Sequence, residues 1–172
     1  TNGESGRIIL SVGSNTGTNG GDVSLLAGES TANNAKGGEI SIVAGEGSSS
    51  TQGAGGDISF MGGLGNSLSG GQIQLSTGEG SQSSSGSISI STSNAGVKGI
   101  SGSLSFTTGS TSSGASGMIS IISGNSVAGK GGDIVFSSGT GTGSIEGGHI
   151  TASAGGMSSG TGGYVSIKSG IG

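Results

Sequence analysis

Residues able to do chemistry are few in this 172-residue chain, and their spacing decides what they would do. Gly124-Asn-Ser-Val-Ala-Gly129-Lys130 has the spacing of a phosphate-binding loop, in which backbone N–H groups and a lysine cradle phosphate oxygens. Gly131 stands where Ser or Thr would hold magnesium, and the glycine-rich flank starts no helix, so the segment reads as a turn. His149 is the single histidine, which excludes a metal centre built from histidines. A Ser-His-Asp arrangement would draw on His149 and Asp133. It would also need a pocket that keeps out water and fixes an oxyanion, and an outward row of Asp133, His149 and Tyr164 supplies neither. With no Cys there is no thiolate nucleophile, thiolate metal site or disulfide framework. The chain is therefore not expected to be an enzyme, and no cofactor is expected.

The carboxylates offer a second chemistry. Asp22, Glu39 and Asp57 recur at one position of a repeat, and Glu29 and Glu46 recur at another. Stacked rows of oxygen ligands can hold Ca²⁺, which makes Asp22, Glu39 and Asp57 the calcium candidates. The plainer reading is a solvated face with Lys36 nearby, since no EF-hand loop or glycine-aspartate nonapeptide is present. A net charge of −4 with only five lysines and arginines argues against a nucleic-acid partner. No apolar run approaches the ~18 residues of a membrane span, and the sequence carries no recognisable signal peptide. The chain opens on Thr1 rather than Met, which is expected of a processed product or an excerpt.

What positions these residues is a repeat. Taking the first apolar residue of each unit as position 0 gives Ile8, Val23, Ile40, Ile58, Ile73, Ile88, Leu104, Ile119, Ile134, Ile150 and Val165, at spacings of 15 to 18. Position +2 is Leu10, Leu25, Ile42, Phe60, Leu75, Ile90, Phe106, Ile121, Phe136, Ala152 or Ile167. Position −2 is Gly in every unit, and position +5 is Gly in all but one, where Ser93 stands. Position +4 is mostly small: Ala27, Ala44, Thr77, Thr92, Thr108, Ser123, Ser138, Ala154 and Ser169. Alternate side chains of an extended strand face opposite sides, so positions 0, +2 and +4 share one side. The flanking glycines read as turn residues free to adopt positive φ.

These observations predict an all-β fold, a parallel β-solenoid of about 11 coils with a flattened, two-layer cross-section and the position-0 residues as its core ladder. The whole span 1–172 reads as one array, with coils starting near 6, 21, 38, 56, 71, 86, 102, 117, 132, 148 and 163. Leu64, Leu68, Val97, Ile100, Val127, Ile145 and Met157, in the returns, would patch the second layer. Apolar burial alone does not offset the ordering of a chain with 44 glycines, so ladders of hydrogen bonds between coils must contribute. Open coil ends would template further copies, so the chain is expected to be a segment or protomer of a longer assembly. On the outside, Leu26, Val43 and Met61, with Ile122 further on, form candidates for a lateral interface, unless local bulging tucks them inward.

The unit Ser91-Thr-Ser-Asn-Ala-Gly-Val-Lys-Gly-Ile-Ser-Gly-Ser-Leu-Ser-Phe-Thr-Thr-Gly109 resembles repeats of large Gly/Ser-rich secreted or surface proteins of diatoms and related algae. So do Gly38-Glu-Ile-Ser-Ile42 and Gly56-Asp-Ile-Ser-Phe60, and the resemblance extends over essentially the whole chain. It implies an extracellular or cell-surface setting and a fibrous or adhesive role. The expected function is thus structural: a filament, sheath or adhesive stalk in which the partner is the chain itself. The alternative is an ice-binding face of hydroxyls, with Ser89, Ser91, Ser105 and Thr107 as candidates, although ice-binding would favour regular Thr pairs that are absent here.

Overall fold

A computed structural model of the chain describes residues 6–143 and 146–170, and the return residue Ile145 lies outside the described residues. The chain divides into two units, Thr1–Ile88 and Ser89–Gly172. Among the described residues of both units there is no helix and no β-strand. The expected all-β parallel solenoid is therefore not the fold of this chain, and the ladder of position-0 residues is not a core. None of the described large apolar side chains is buried. The accessible surface is 17139 Å². A globular protein of 15.8 kDa would expose about 7,300 Å² and a fully extended chain about 23,000 Å². The polypeptide is an irregular coil in which most apolar surface meets solvent.

The physical reason lies in the composition. Leu, Ile, Val and Phe number 34 in 172 residues, about the level below which chains of high net charge stay unfolded. At a net charge of only −4 it is the shortage of apolar surface, not repulsion, that weighs against a core. Each of the 44 glycines adds more than an average share of backbone entropy to be lost on ordering. Two large apolar residues in every 15 to 18 mark a side of the chain without supplying enough burial to hold neighbouring segments in a ladder.

The repeat nevertheless leaves a local imprint. In Thr1–Ile88 the amide of the position −2 glycine donates to the position +5 carbonyl of the preceding unit: Gly38 to Gly28 at 2.8 Å, Gly56 to Gly45 at 2.9 Å, Gly71 to Gly63 at 2.8 Å and Gly86 to Gly78 at 3.1 Å. In Ser89–Gly172 the same bond joins Gly132 to Gly124 at 3.4 Å, Gly148 to Gly139 at 3.1 Å and Gly163 to Gly155 at 2.9 Å. Each closes the two ends of a return, and none extends into a second rung. A loop of this kind is closed by one bond with a net value of about 0.5–1.5 kcal/mol.

These closures explain the glycines differently from the sequence expectation. Positive φ occurs only at Asn34, Gly114 and Gly160 among the described residues, so the position −2 glycines are not there for left-handed backbone. At several of them, Gly21, Gly38, Gly86, Gly117, Gly132 and Gly148, the position +4 side chain lies close to where a Cβ would stand, and at Gly71 the Gly63 backbone does. A Cβ on Gly132 would sit 3.1 Å from Ser123 Cβ, and one on Gly148 would sit 3.1 Å from Ser138 Cβ. Both distances are tighter than an ordinary van der Waals contact.

The bulk of the +4 residue tracks which junctions close. Among the described residues, three junctions lack the bond from the position −2 amide to the position +5 carbonyl: those ending at Gly21, at Gly102, where +5 is Ser93, and at Gly117. Their +4 residues are Val12, Thr92 and Thr108, all branched at Cβ. Closed junctions carry Ala27, Ala44, Gly62, Ser123, Ser138 and Ala154, with Thr77 the one branched exception.

Candidate functional site

The chain shelters only a few small residues. Ala44, Gly62 and Ser123, all at position +4, and Gly47, Gly65 and Gly80, all at position +7, are half-buried, while the other described residues are exposed. A Cβ on Gly47 would overlap the Ala54 carbonyl, and one on Gly80 would overlap the Ser84 carbonyl. Position +7 is thus where the return doubles back against its own backbone. At three of the polar +7 positions a side chain does the same work. Asn15 Oδ1 accepts from the Gly17 amide at 2.9 Å, Thr111 Oγ1 from the Ser113 amide at 3.3 Å, and Ser126 Oγ from the Gly129 amide at 2.9 Å. Such Asx and Ser/Thr turns reproduce a backbone turn with a side-chain acceptor. This position went unread in the sequence, although its restriction to Gly, Asn, Ser or Thr in eight of the ten returns was the signal.

The residues with chemistry are scattered on this frame. In the segment with phosphate-loop spacing, the Gly124 carbonyl accepts from Gly132 and Ser126 caps Gly129. Lys130 Nζ pairs with Asp133 Oδ2 at 2.6 Å. The lysine is already engaged and the loop is an ordinary closed return. Asp133 is engaged with that lysine, and His149 Nε2 lies 3.5 Å from Glu146 Oε2 instead. Both pairs lie at the surface, where such contacts contribute about 0–1 kcal/mol. Tyr164 is exposed. Among the described residues there is no pocket, and no group of three His, Asp or Glu able to hold a metal ion. Asp22, Glu39 and Asp57 are not gathered into such a group.

What does recur is an apolar side. Exposure of the described position-0 residues runs from 45% at Ile134 to 64% at Ile150, apart from Ile8 at 92%. The outward residues Leu26, Val43, Met61 and Ile122 stand at 83–86%. They are not tucked inward. Apart from Ile8, the position-0 side chains are thus less exposed than these outward ones, and none of either set is buried. Return residues Val97, Ile100 and Val127 are among the most exposed of all and form no second layer. Among the described residues no helix is long and apolar enough to cross a membrane. Comparison of the chain with protein-family models, with curated proteins and with solved structures finds no match.

Proposed function

We propose that the chain is a structural protein of an extracellular or cell-surface fibre, sheath or adhesive layer, and that it works by associating with further copies of itself. Apolar pairs such as Ile40–Ile42 and Ile58–Phe60 act as contact points, and the Gly/Ser returns between them act as hydrated spacers. The observation that carries the reading is the regular apolar side with no internal cover: eleven evenly spaced pairs, none of them buried where described. Exposed apolar surface on this scale marks an interaction surface in soluble proteins. A second copy carries the same pairs at the same spacings, so many contacts can form at once, and linked weak contacts gain avidity steeply. The setting outside the cell rests on the resemblance of the repeat.

The ice-binding alternative needs hydroxyls held in a plane by a sheet. Ser89, Ser91, Ser105 and Thr107 stand on irregular backbone, and no observation favours it over association.

Sedimentation velocity across a concentration series tests the proposal. Species larger than the 15.8 kDa chain should grow with concentration. A single 15.8 kDa species at every concentration would rule the reading out.

A further inference from the structure

The two units differ in charge. Thr1–Ile88 holds seven of the nine carboxylates and only Arg7 and Lys36 as cations, a formal −5. Ser89–Gly172 holds Asp133 and Glu146 against Lys98, Lys130 and Lys168, a formal +1 with His149 neutral. Those two values add to the chain's −4. The described charged side chains of both units are exposed, and the Lys130–Asp133 pair at the surface leaves the net charge of its unit unchanged, so each unit presents its net charge to an approaching molecule.

From this asymmetry we infer that copies of the chain associate head to tail, with the acidic unit of one copy against the basic unit of the next. The inference rests on the self-association proposed above and adds its polarity. Three pairings are open to two copies. Acidic on acidic brings five net negative charges against five, which is strongly repulsive at low ionic strength. Basic on basic is nearly neutral and leaves both acidic units unpaired. Acidic on basic is the only attractive pairing, and a single such contact leaves one acidic unit and one basic unit free to pair with further copies. Where each copy uses its two units on two different neighbours the contact is heterologous, and it extends into fibres when the rotation between copies does not close a ring. The apolar pairs recur in both units at similar spacing and so do not choose between pairings. Charge does, by steering encounter and penalising the wrong partner.

The test uses the full chain. Unlabelled and ¹⁵N-labelled protein are mixed and assembled at low salt. They are then joined with a zero-length carbodiimide, which links lysine amines only to carboxylates in contact. Mixed-isotope cross-links report contacts between copies. Links from Lys98, Lys130 or Lys168 to carboxylates of Thr1–Ile88 should exceed, pair for pair, links from Lys36 to those same carboxylates. That excess should disappear near 1 M salt, where screening acts within about 3 Å. The variant Lys98→Glu/Lys130→Glu/Lys168→Glu makes the second unit as acidic as the first. It should lose assembly at low salt and recover it at high salt. Assembly of that variant at low salt as readily as the native chain, or cross-links chiefly between like units, contradicts the head-to-tail arrangement while leaving self-association standing. A native chain that stays monomeric at every salt concentration removes both.

Discussion

Gly132 donates its amide to the Gly124 carbonyl while its Cα rests against Ser123, so closely that a Cβ at 132 would lie 3.1 Å from Ser123 Cβ. The neighbouring Gly131 has only the Gly124 carbonyl oxygen near it, 4.0 Å from where its Cβ would stand. Two adjacent glycines thus have different reasons to be there. One is required by a contact and the other occupies open space.

Gly132→Ala should therefore open the return and Gly131→Ala should not. The amide temperature coefficient at position 132 reads this directly by NMR. It should move from the hydrogen-bonded to the solvent-bonded range in the first variant and stay unchanged in the second. Equal effects at the two sites would mean that the Ser123 contact is not what selects glycine at 132.

Residue bulk at position +4 leads to the opposite experiment. Thr108→Ala removes the branch facing Gly117, whose added Cβ would lie 3.3 Å from Thr108 Cγ2. The Gly117 amide should then bond to the Gly109 carbonyl, as at the junctions that carry Ala or Ser. The gain is one net hydrogen bond, about 0.5–1.5 kcal/mol, seen as slower amide exchange at Gly117. No slowing would detach closure from side-chain size.

Position +7 makes a sharper demand. An alanine at Gly80 would overlap the Ser84 carbonyl, whereas a Cβ on Gly78 would meet nothing. Gly80→Ala should shift the backbone resonances of residues 80–86, and Gly78→Ala should leave them in place. Matching spectra for the two variants would contradict the doubled-back return.

Much of the local order was legible in the sequence, and the failure has a definite cause. The period, the paired glycines and the two-sided alternation of Ile40, Ile42 and Val43 all follow from residue type and spacing. Alternation says which side a residue faces. It does not say whether a partner segment is there to cover it. Reading Gly38 and Gly132 as left-handed turn glycines also failed, because sequence shows that Gly is needed without showing whether φ or proximity needs it. The close approach of Ala27 to Gly38, 3.2 Å from an added Cβ, is a contact eleven residues apart that no local propensity encodes. The rows Asp22-Glu39-Asp57 and Asp133-His149-Tyr164 depended on stacked coils, and without the stack they do not form. Lys130 instead reaches Asp133 within its own loop.

Apolar substitution tests the contact points. Ile40→Ser/Ile58→Ser/Ile134→Ser should raise the concentration needed for assembly by at least about tenfold, since one large aliphatic side chain is worth about 1.5–3 kcal/mol when covered. Light scattering against concentration measures the shift. Because these residues are exposed in the single chain, its own spectra should hardly change. An unaltered assembly threshold would show that the position-0 residues are not the points of contact.

Scanning calorimetry of the dilute, monodisperse chain tests the central claim most directly. A polypeptide with no buried apolar residue among those described has no packed core to take apart, so the trace should rise smoothly with temperature and show no cooperative endotherm. A sharp transition with a heat-capacity step near ~12–15 cal/mol/K per residue is the signature of a packed core coming apart, and it would contradict the account.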